Sequence, residues 1–325
     1  MKLYFYLSPE YWLDPVPTLD NFYDQASNGA HTWIIQTFLR LKKSGVDCEL
    51  TQEIPEQGII IFHKGAMDDN LKPTRQQLFV CIQSDWGIHS FAQTHICQNY
   101  TQQQKIKASL HSKLFLLTDT KFVHHWPQYN IIPRDNNKPI ALKNISYFGS
   151  KSNLAPELQT AEWVDFLKAH NINWSIKGKH TEWNDYSTTD AVIFSRDFNG
   201  NPYDHKPPTK VYNSWIAGCL PIFTPESAFI DEIKGKPRAS IVVNSYQDLK
   251  DKIAALIANE QEFVSLVKNG QTLVSNYDEH HIVFEWKEII NALTKKLEQQ
   301  KSQPIKHFNF LAIRKIFDTM RKLSW

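Results

Sequence analysis

The sequence predicts an α/β protein made of two consecutive parallel-sheet domains that face each other across a cleft. Three observations predict it. Short apolar runs alternate with segments of helical period along most of the chain, the pattern of parallel strands joined by crossover helices. One stretch, Pro133–Asn144 (PRDNNKPIALKN), interrupts that pattern as a polar linker carrying two prolines. A second alternating series begins after it. At 325 residues the chain has room for two cores. The expected divisions are a first Rossmann-like domain over 1–138, a second over 139–290, and a C-terminal helix and basic tail over 291–325.

In the first series Leu3–Leu7 reads as a buried strand, with Tyr4, Phe5 and Tyr6 as ordinary core. A loop rich in Asp, Pro and Asn follows, through Asn28-Gly29-Ala30. His31 to Lys43 carries Trp33, Ile34, Phe38 and Leu41 at helical spacing, and Ser44-Gly45 ends it. Val46–Leu50, Gly58–Phe62 and Leu78–Gln83 read as strands, and Lys113–Leu117 and Phe122–His124 continue the pattern. In the second series Ile145–Gly149 is a strand and Ala155–His170 a helix with Leu158, Trp163, Phe166 and Leu167 on one face. Ile172–Ile176, Ala191–Ser195, Leu220–Thr224 and Ser240–Val243 are strands, Thr209–Ala217 is a helix, and helices fill Tyr246 to Leu297. No repeat of solenoid period occurs.

The tail Ile305–Trp325 (IKHFNFLAIRKIFDTMRKLSW) differs from both series. Phe310, Ile313, Phe317, Met320 and Leu323 follow helical spacing, and Asp318 is the only acid among five lysines and arginines. A basic amphipathic helix either lies on an anionic membrane surface or packs back on the first domain, and periodicity does not separate the two.

Bulk composition excludes several classes. Net charge is +2, which offers no general attraction for nucleic acid, and 42% hydrophobic with 22% charged residues is globular composition. Four scattered cysteines form neither a zinc spacing nor a disulfide framework, which fits a reducing cytosol. The opening MKLYFYLSPEYW is too short in its apolar part for a signal sequence, and no run is long enough to span a bilayer. The expected location is cytoplasmic, with the tail as the candidate for peripheral attachment at the inner membrane face.

The most informative stretch is Asp190–Phe229. An apolar strand ends at Ser195 with Arg196 behind it. A loop leads to Lys206-Pro207-Pro208, where proline suits the first helical turn, with Thr209 as the expected N-cap. Val211, Tyr212, Trp215 and Ile216 make an apolar stripe, Gly218 closes the helix, and strand Leu220–Thr224 runs into Pro225-Glu226-Ser227. In an open parallel sheet the loops after successive strands share one edge, where ligands bind. Arg196, Lys206, Lys210, the helix start and Glu226 are therefore expected to converge. Helix N–H groups and cations suit a diphosphate. A carboxylate is a poor partner for phosphate and a good one for the hydroxyl pair of a ribose or sugar.

This segment resembles the donor-binding half of GT-B glycosyltransferases, and it looks closest to bacterial group 1-like enzymes. Lys206, Pro207, Lys210, Asn213, Ala217, Gly218, Ile222, Pro225, Glu226, Ser227 and Ala228 sit on that group's pattern. Tyr147–Leu158 (YFGSKSNLAPEL) resembles its second-domain opening, with Gly149 after the strand and Asn153 before the helix. NGAHTWIIQTFLRLKKSG and HWPQYNIIPRD resemble its first domain more loosely. The resemblance implies a nucleotide diphosphate-sugar donor held by Gly149, Asn153, Arg196, Lys206, Lys210, Asn213, Pro225, Glu226 and Ser227, and a glycan or lipid-linked acceptor held mainly by the first domain. One departure leaves the stereochemical outcome open: the two acids of the E-x7-E signature would fall on His205 and Asn213.

No D-x-D occurs, so metal-assisted transfer of the other large glycosyltransferase fold is not expected, and neither a metal nor a cofactor is implied. Arg196 and the lysines would then neutralise the leaving diphosphate. For the acceptor base, His31 follows the first strand on the expected ligand edge, and Asp85 would orient and polarise it. Asp14 and Asp24 are rivals. His124-His125 and His280-His281 are adjacent pairs without a third ligand at useful spacing. Gly149-Ser150-Lys151-Ser152-Asn153 lacks Walker spacing. Two other functions share the fold: a non-catalytic two-lobed sugar or nucleotide binding protein, and a sugar-nucleotide epimerase.

Overall fold

Strands β3 and β4 set the character of the molecule. β3 (Gly58–His63, GIIIFH) and β4 (Gln77–Ile82, QLFVCI) are buried at every position, as strands covered by helices on both faces must be. The computed structural model describes residues 2–26, 28–135 and 137–323. The chain divides into two units: Met1–His125, His205–Pro207 and Glu279–Trp325 form the first, and Trp126–Asp204 with Pro208–Asp278 the second.

The first unit opens with β1 (Leu3–Tyr6) and a short helix α1 (Phe22–Gln25). A single π-helical turn, His31–Ile35, runs without a break into α2 (Gln36–Lys43). π turns inside helices recur at functional sites. Strand β2 (Glu49–Thr51), β3 and β4 follow, then β5 (Thr94–Cys97), α3 (Tyr100–Ala108), α4 (Leu110–Leu114) and β6 (Thr120–Phe122). All six strands are parallel, in the order β2-β1-β3-β4-β5-β6. Two elements differ from expectation. Lys113–Leu117 is not a strand: Ser109 accepts from the Ser112 N–H and starts α4, which leaves Leu110 and Leu114 exposed. Strand β5 was not legible at all, because its buried Thr94 and His95 break any apolar pattern.

The second unit repeats the design. Strand β7 (Asn144–Phe148) leads through 3₁₀ turns to α5 (Ala161–Ala169), which the Thr160 hydroxyl caps, so the expected Ala155–His170 helix is divided there. Then come β8 (Asn173–Lys177), β9 (Ala191–Phe194), α6 (Thr209–Ile216), β10 (Leu220–Phe223), α7 (Ser227–Ile233), β11 (Ile241–Val242), α8 (Tyr246–Ala258) and α9 (Glu260–Thr272). These five strands are also parallel, in the order β11-β10-β9-β7-β8. Alternate residues serve opposite faces. Ile145, Ile193 and Ile222 pack with Trp163 of α5, Ile253 of α8 and Leu266 of α9, while Phe148, Phe194 and Phe223 pack with Val211 and Trp215 of α6 and Phe229 of α7.

Two further helices return to the first unit: α10 (Glu279–Ser302) and α11 (Pro304–Leu323). Trp286 of α10 is buried edge-on to Phe5 of β1, ring centroids 6.4 Å apart. Helix α11 packs through Arg314, Phe317 and Asp318. One of the two expectations for the tail, packing on the first unit, is met by this buried face; Ser324 and Trp325 lie outside the described residues. No described helix is long and apolar enough to cross a membrane.

Candidate functional site

Renumbered within each unit, both sheets begin with the order 2-1-3-4-5. In such sheets winding changes direction beside the first strand, and the loops leaving the carboxyl ends there part to form a crevice for ligands. In the second unit that point lies between β7 and β9. Strand β7 hands over to Gly149, and β9 to Ser195 and Arg196. Helix α6 starts with Thr209 and Lys210, and Glu226 follows β10 as the N-cap of α7.

These residues meet. Glu226 is fully buried, and its Oε2 accepts from Arg196 Nη1. Its Oε1 is buried and takes no hydrogen bond from the described residues. Lys210 Nζ sits 4.6 Å from the centre of the Tyr147 ring, and the charges of Arg196 and Glu226 both act on it. Gly149 has φ +144°; a Cβ there would lie 2.9 Å from Tyr147 Oη and 3.2 Å from Lys210 Nζ. Glycine is what lets the turn after β7 come this close to the lysine. Tyr147 Oη donates to the Ser150 carbonyl at 3.0 Å. The Arg196 guanidinium lies 5.2 Å over the Tyr203 ring, and the Tyr203 hydroxyl donates to Asp197.

The electrostatics follow from burial. Burial and the nearby Arg196 pull Lys210 down to about 7, with Glu226 opposing. Burial pushes the Glu226 carboxyl up, against Arg196 and Lys210, and pushes the Tyr147 phenol up to about 12. The site therefore holds a lysine whose charge burial disfavours, an arginine paired with Glu226, and one buried carboxylate oxygen without a donor among the described residues. An orphaned buried acceptor costs about 1–3 kcal/mol. Helix α6 adds an end without a side-chain cap: Pro208 occupies the N-cap, and Thr209, expected there, is the first helical residue. Anionic ligands are stabilised at such an end.

The other expected donor residues have different places. Ser227 Oγ donates to Asp204 at 2.6 Å and its N–H to the Pro202 carbonyl at 2.8 Å, which fastens the loop beside Glu226. Pro225 lies in the turn before Glu226. Asn213 is buried in α6 and accepts from the Gln128 N–H at 3.1 Å, so it holds the chain entering the unit. Asn153 is exposed in the 3₁₀ turn after Gly149. Lys206 belongs to the first unit, where its ammonium meets Asp85 at 2.6 Å.

On the first unit Asp85 meets Gln98 and acts on His63, while His31 lies in the π turn of the segment after β1. His31 is buried, its Nε2 bonds the Tyr11 carbonyl at 2.7 Å, and its backbone N–H donates to Asn28 Oδ1 at 3.0 Å. That carbonyl fixes the ring proton on Nε2 and makes Nδ1 the basic nitrogen. Burial lowers the His31 pKa, with the Tyr11 bond opposing. Asp85 is not among the groups that shift His31. Besides Lys206, it accepts from Gln98 Nε2 at 3.1 Å, and its charge acts on His63.

His63, the last residue of β3, was missed in the sequence although the end of a strand beside the switch point is where a functional side chain would sit. Its Nδ1 accepts from the Gly65 N–H at 3.1 Å, and its buried Nε2 has no partner among the described residues. Burial holds its pKa down at about 4. Tyr147 and Tyr203 were missed as well; the first shows only as an aromatic residue of a strand and the second as one of the loop between β9 and α6. Among the described residues no three His, Cys, Asp or Glu side chains gather as a metal site, and His124 instead pairs with Glu285 at 2.8 Å.

No family model matches the sequence, and neither does any curated protein. Solved structures do. HepE from Anabaena in complex with UDP-glucose aligns over 90% of this chain and 100% of its own, at a TM-score of 0.51 and 11% identity. HepE in complex with UDP and glucose aligns over the same shares at 0.51 and 13% identity. A sucrose-phosphate synthase from Thermosynechococcus elongatus aligns over 73% of this chain and 74% of its own, at 0.49 and 11% identity. The likeness to HepE is one of fold. The two parallel-sheet units have the GT-B-type architecture that the sequence resemblance implied.

Proposed function

We propose that the protein is a glycosyltransferase that moves a hexosyl group from a nucleotide diphosphate-sugar to a glycan or lipid-linked acceptor, without a metal. The observation that carries this reading is the meeting of Arg196, Lys210 and Glu226 at the switch point of the second sheet. The HepE structures, described with UDP-glucose and with UDP and glucose, support it by analogy of fold.

In the proposed reaction an acceptor hydroxyl oxygen bonds to the anomeric carbon. The bond from that carbon to the diphosphate breaks, and its electron pair leaves on the diphosphate oxygen. Lys210 and Arg196 stabilise that developing charge, aided by the open start of α6. Glu226 Oε1 accepts from a donor hydroxyl. Gly149 gives the diphosphate close approach to backbone, and Ser227 and Pro225 shape the turn that presents Glu226. Asn213 and Asn153 act through the packing of α6 and of the Gly149 turn. For the base that takes the acceptor proton His31 is the candidate, its pKa lowered by burial. Asp85, held by Lys206 and Gln98, positions the rim around His63. Four free, buried cysteines suit a cytosolic setting.

The test is thermal melting with UDP, GDP and ADP, followed by hydrolysis and transfer assays with the matching nucleotide-sugars. A raised midpoint with one base and sugar release from its donor are the expected results. Binding without any turnover would favour the two-lobed binding protein, epimerised sugar would favour the epimerase, and no shift with any nucleotide would overturn the donor site.

A further inference from the structure

Helix α11 has two faces that a packing partner could use, and the first unit uses one. Arg314 is fully buried, with Nη1 donating to the Ser90 carbonyl at 3.0 Å and Nη2 to those of Ala92 and Leu116 at 2.8 and 3.1 Å. Phe317 packs against His111 and Phe115, which sets α4 beside α11. The opposite face carries Ile305, Phe308, Ala312, Ile316, Met320 and Leu323, spaced 3, 4, 4, 4 and 3 residues apart, one continuous helical stripe. It is open: Ile305 is 75% exposed, Phe308 71%, Ile316 57%, Met320 50% and Leu323 81%. Single exposed apolar residues need no explanation, but a contiguous stripe over five turns does.

Cations flank the stripe. A cavity of about 350 Å³ opens along one side of it, lined by Lys72, Lys315 and Lys322 together with Phe91 and Leu323. Asp318 also lines it, but that carboxylate already accepts from Ser90, Arg321 and Lys322. It is the only acid in α11. The neighbouring α4 adds Leu110 and Leu114, 71% and 64% exposed.

We propose that this face of the first unit docks on an anionic lipid bilayer, with the stripe entering the interface and the lysine-lined cavity receiving a lipid phosphate. Charge favours that occupant over a second copy of the chain. Pairing two stripes would bring the lysines of both copies together with no unused carboxylate on α11 to meet them. A bilayer supplies apolar depth for the stripe and phosphates for the lysines, whose stems reach along apolar surface to a charged head. The proposal is independent of the donor site, which lies in the second unit.

The experiment is co-sedimentation of the full chain with vesicles of phosphatidylcholine alone and of phosphatidylcholine mixed with phosphatidylglycerol, at low and high salt. Sedimentation velocity without lipid runs beside it. Binding to the mixed vesicles, weakened by salt, is expected. The variant Phe308→Ser/Ile316→Ser/Met320→Ser should lower partitioning at least tenfold. Lys72→Glu/Lys315→Glu should lower it by more than tenfold and remove the salt dependence, since each lysine near an anionic surface contributes roughly fivefold. All five positions lie on the surface, so the melting midpoint and any nucleotide-induced shift should be unchanged. Three results would overturn the proposal: no binding to mixed vesicles, equal binding to both lipids, or binding indifferent to the apolar substitutions. A lipid-independent dimer that the apolar substitutions abolish, without vesicle binding, would assign the stripe to a second copy instead.

Discussion

Lys210 makes the proposed donor site sensitive to pH in a direction that can be worked out. Its ammonium titrates at about 7 in the empty site, against an ordinary value of 10.5, because burial and Arg196 both disfavour the charge. A bound diphosphate reverses the balance, since two negative groups near Nζ favour the protonated form. Binding therefore takes up a proton whenever the pH lies above the empty-site value and below that of the complex. A nucleoside diphosphate is itself largely ionised in that window, as a terminal phosphate loses its last proton near pH 6. At about pH 8.5 the lysine is only ~3% protonated, against about half at pH 7, which weakens a nucleoside diphosphate by up to ~16-fold, or ~1.6 kcal/mol. The stability of the empty protein has the linked sign: it rises with pH between about 7 and 10.5, where the unfolded chain binds the proton and the native chain does not. Isothermal titration calorimetry across that range, in buffers of differing ionisation enthalpy, measures both the affinity and the proton uptake. Lys210→Arg, charged throughout, should flatten the profile. An affinity constant between pH 7 and 9, or an unchanged slope in the arginine variant, would refute the assignment of Lys210 to the phosphates.

Three other substitutions test separate links. Glu226→Gln should weaken the nucleoside diphosphate that the melting panel identifies by about 10–100-fold and leave inorganic pyrophosphate nearly unaffected, because a hydroxyl bond to a charged acceptor contributes about 1.5–3 kcal/mol; equal losses for both ligands would show that the carboxylate acts only by holding Arg196. Gly149→Ala should lower stability by about 1–3 kcal/mol, from its backbone conformation and the contact with Tyr147, and reduce diphosphate binding as well; urea denaturation and calorimetry report the two effects. Arg314→Ala leaves the buried carbonyls of Ser90 and Ala92 and the half-buried one of Leu116 without this donor and should destabilise the first unit by about 3 kcal/mol or more, read by urea unfolding monitored through Trp fluorescence, while any nucleotide-induced shift of the second unit survives.

Much of the fold was legible because parallel strands covered on both faces must be apolar along their whole length. GIIIFH and AVIF announce themselves in that way. THIC of β5 does not, since the hydroxyl of Thr94 finds Asp119 and the ring of His95 finds the His89 carbonyl. The meeting of Arg196, Lys210 and Glu226 was legible for a topological reason: successive parallel strands put their following loops on one edge. The partner of Asp85 was not, because no spacing rule relates it to Lys206, 121 residues further on. The tail shows the limit of periodicity most plainly. Phe317 is buried as expected, but Met320 and Leu323 of the same expected face are exposed. The deepest side chain of the helix is Arg314, a residue that a count of apolar positions sends to the solvent side.

The first unit is assembled from the two ends of the chain. Its sheet is complete by Phe122, yet Trp286 beneath β1 and Arg314 beneath the Ser90 segment arrive more than a hundred residues later. During synthesis the second unit can finish folding while the first still waits for a lid of helices. A premature stop between Asp278 and Trp286 would thus deprive the earlier-made unit of both helices and spare the later one.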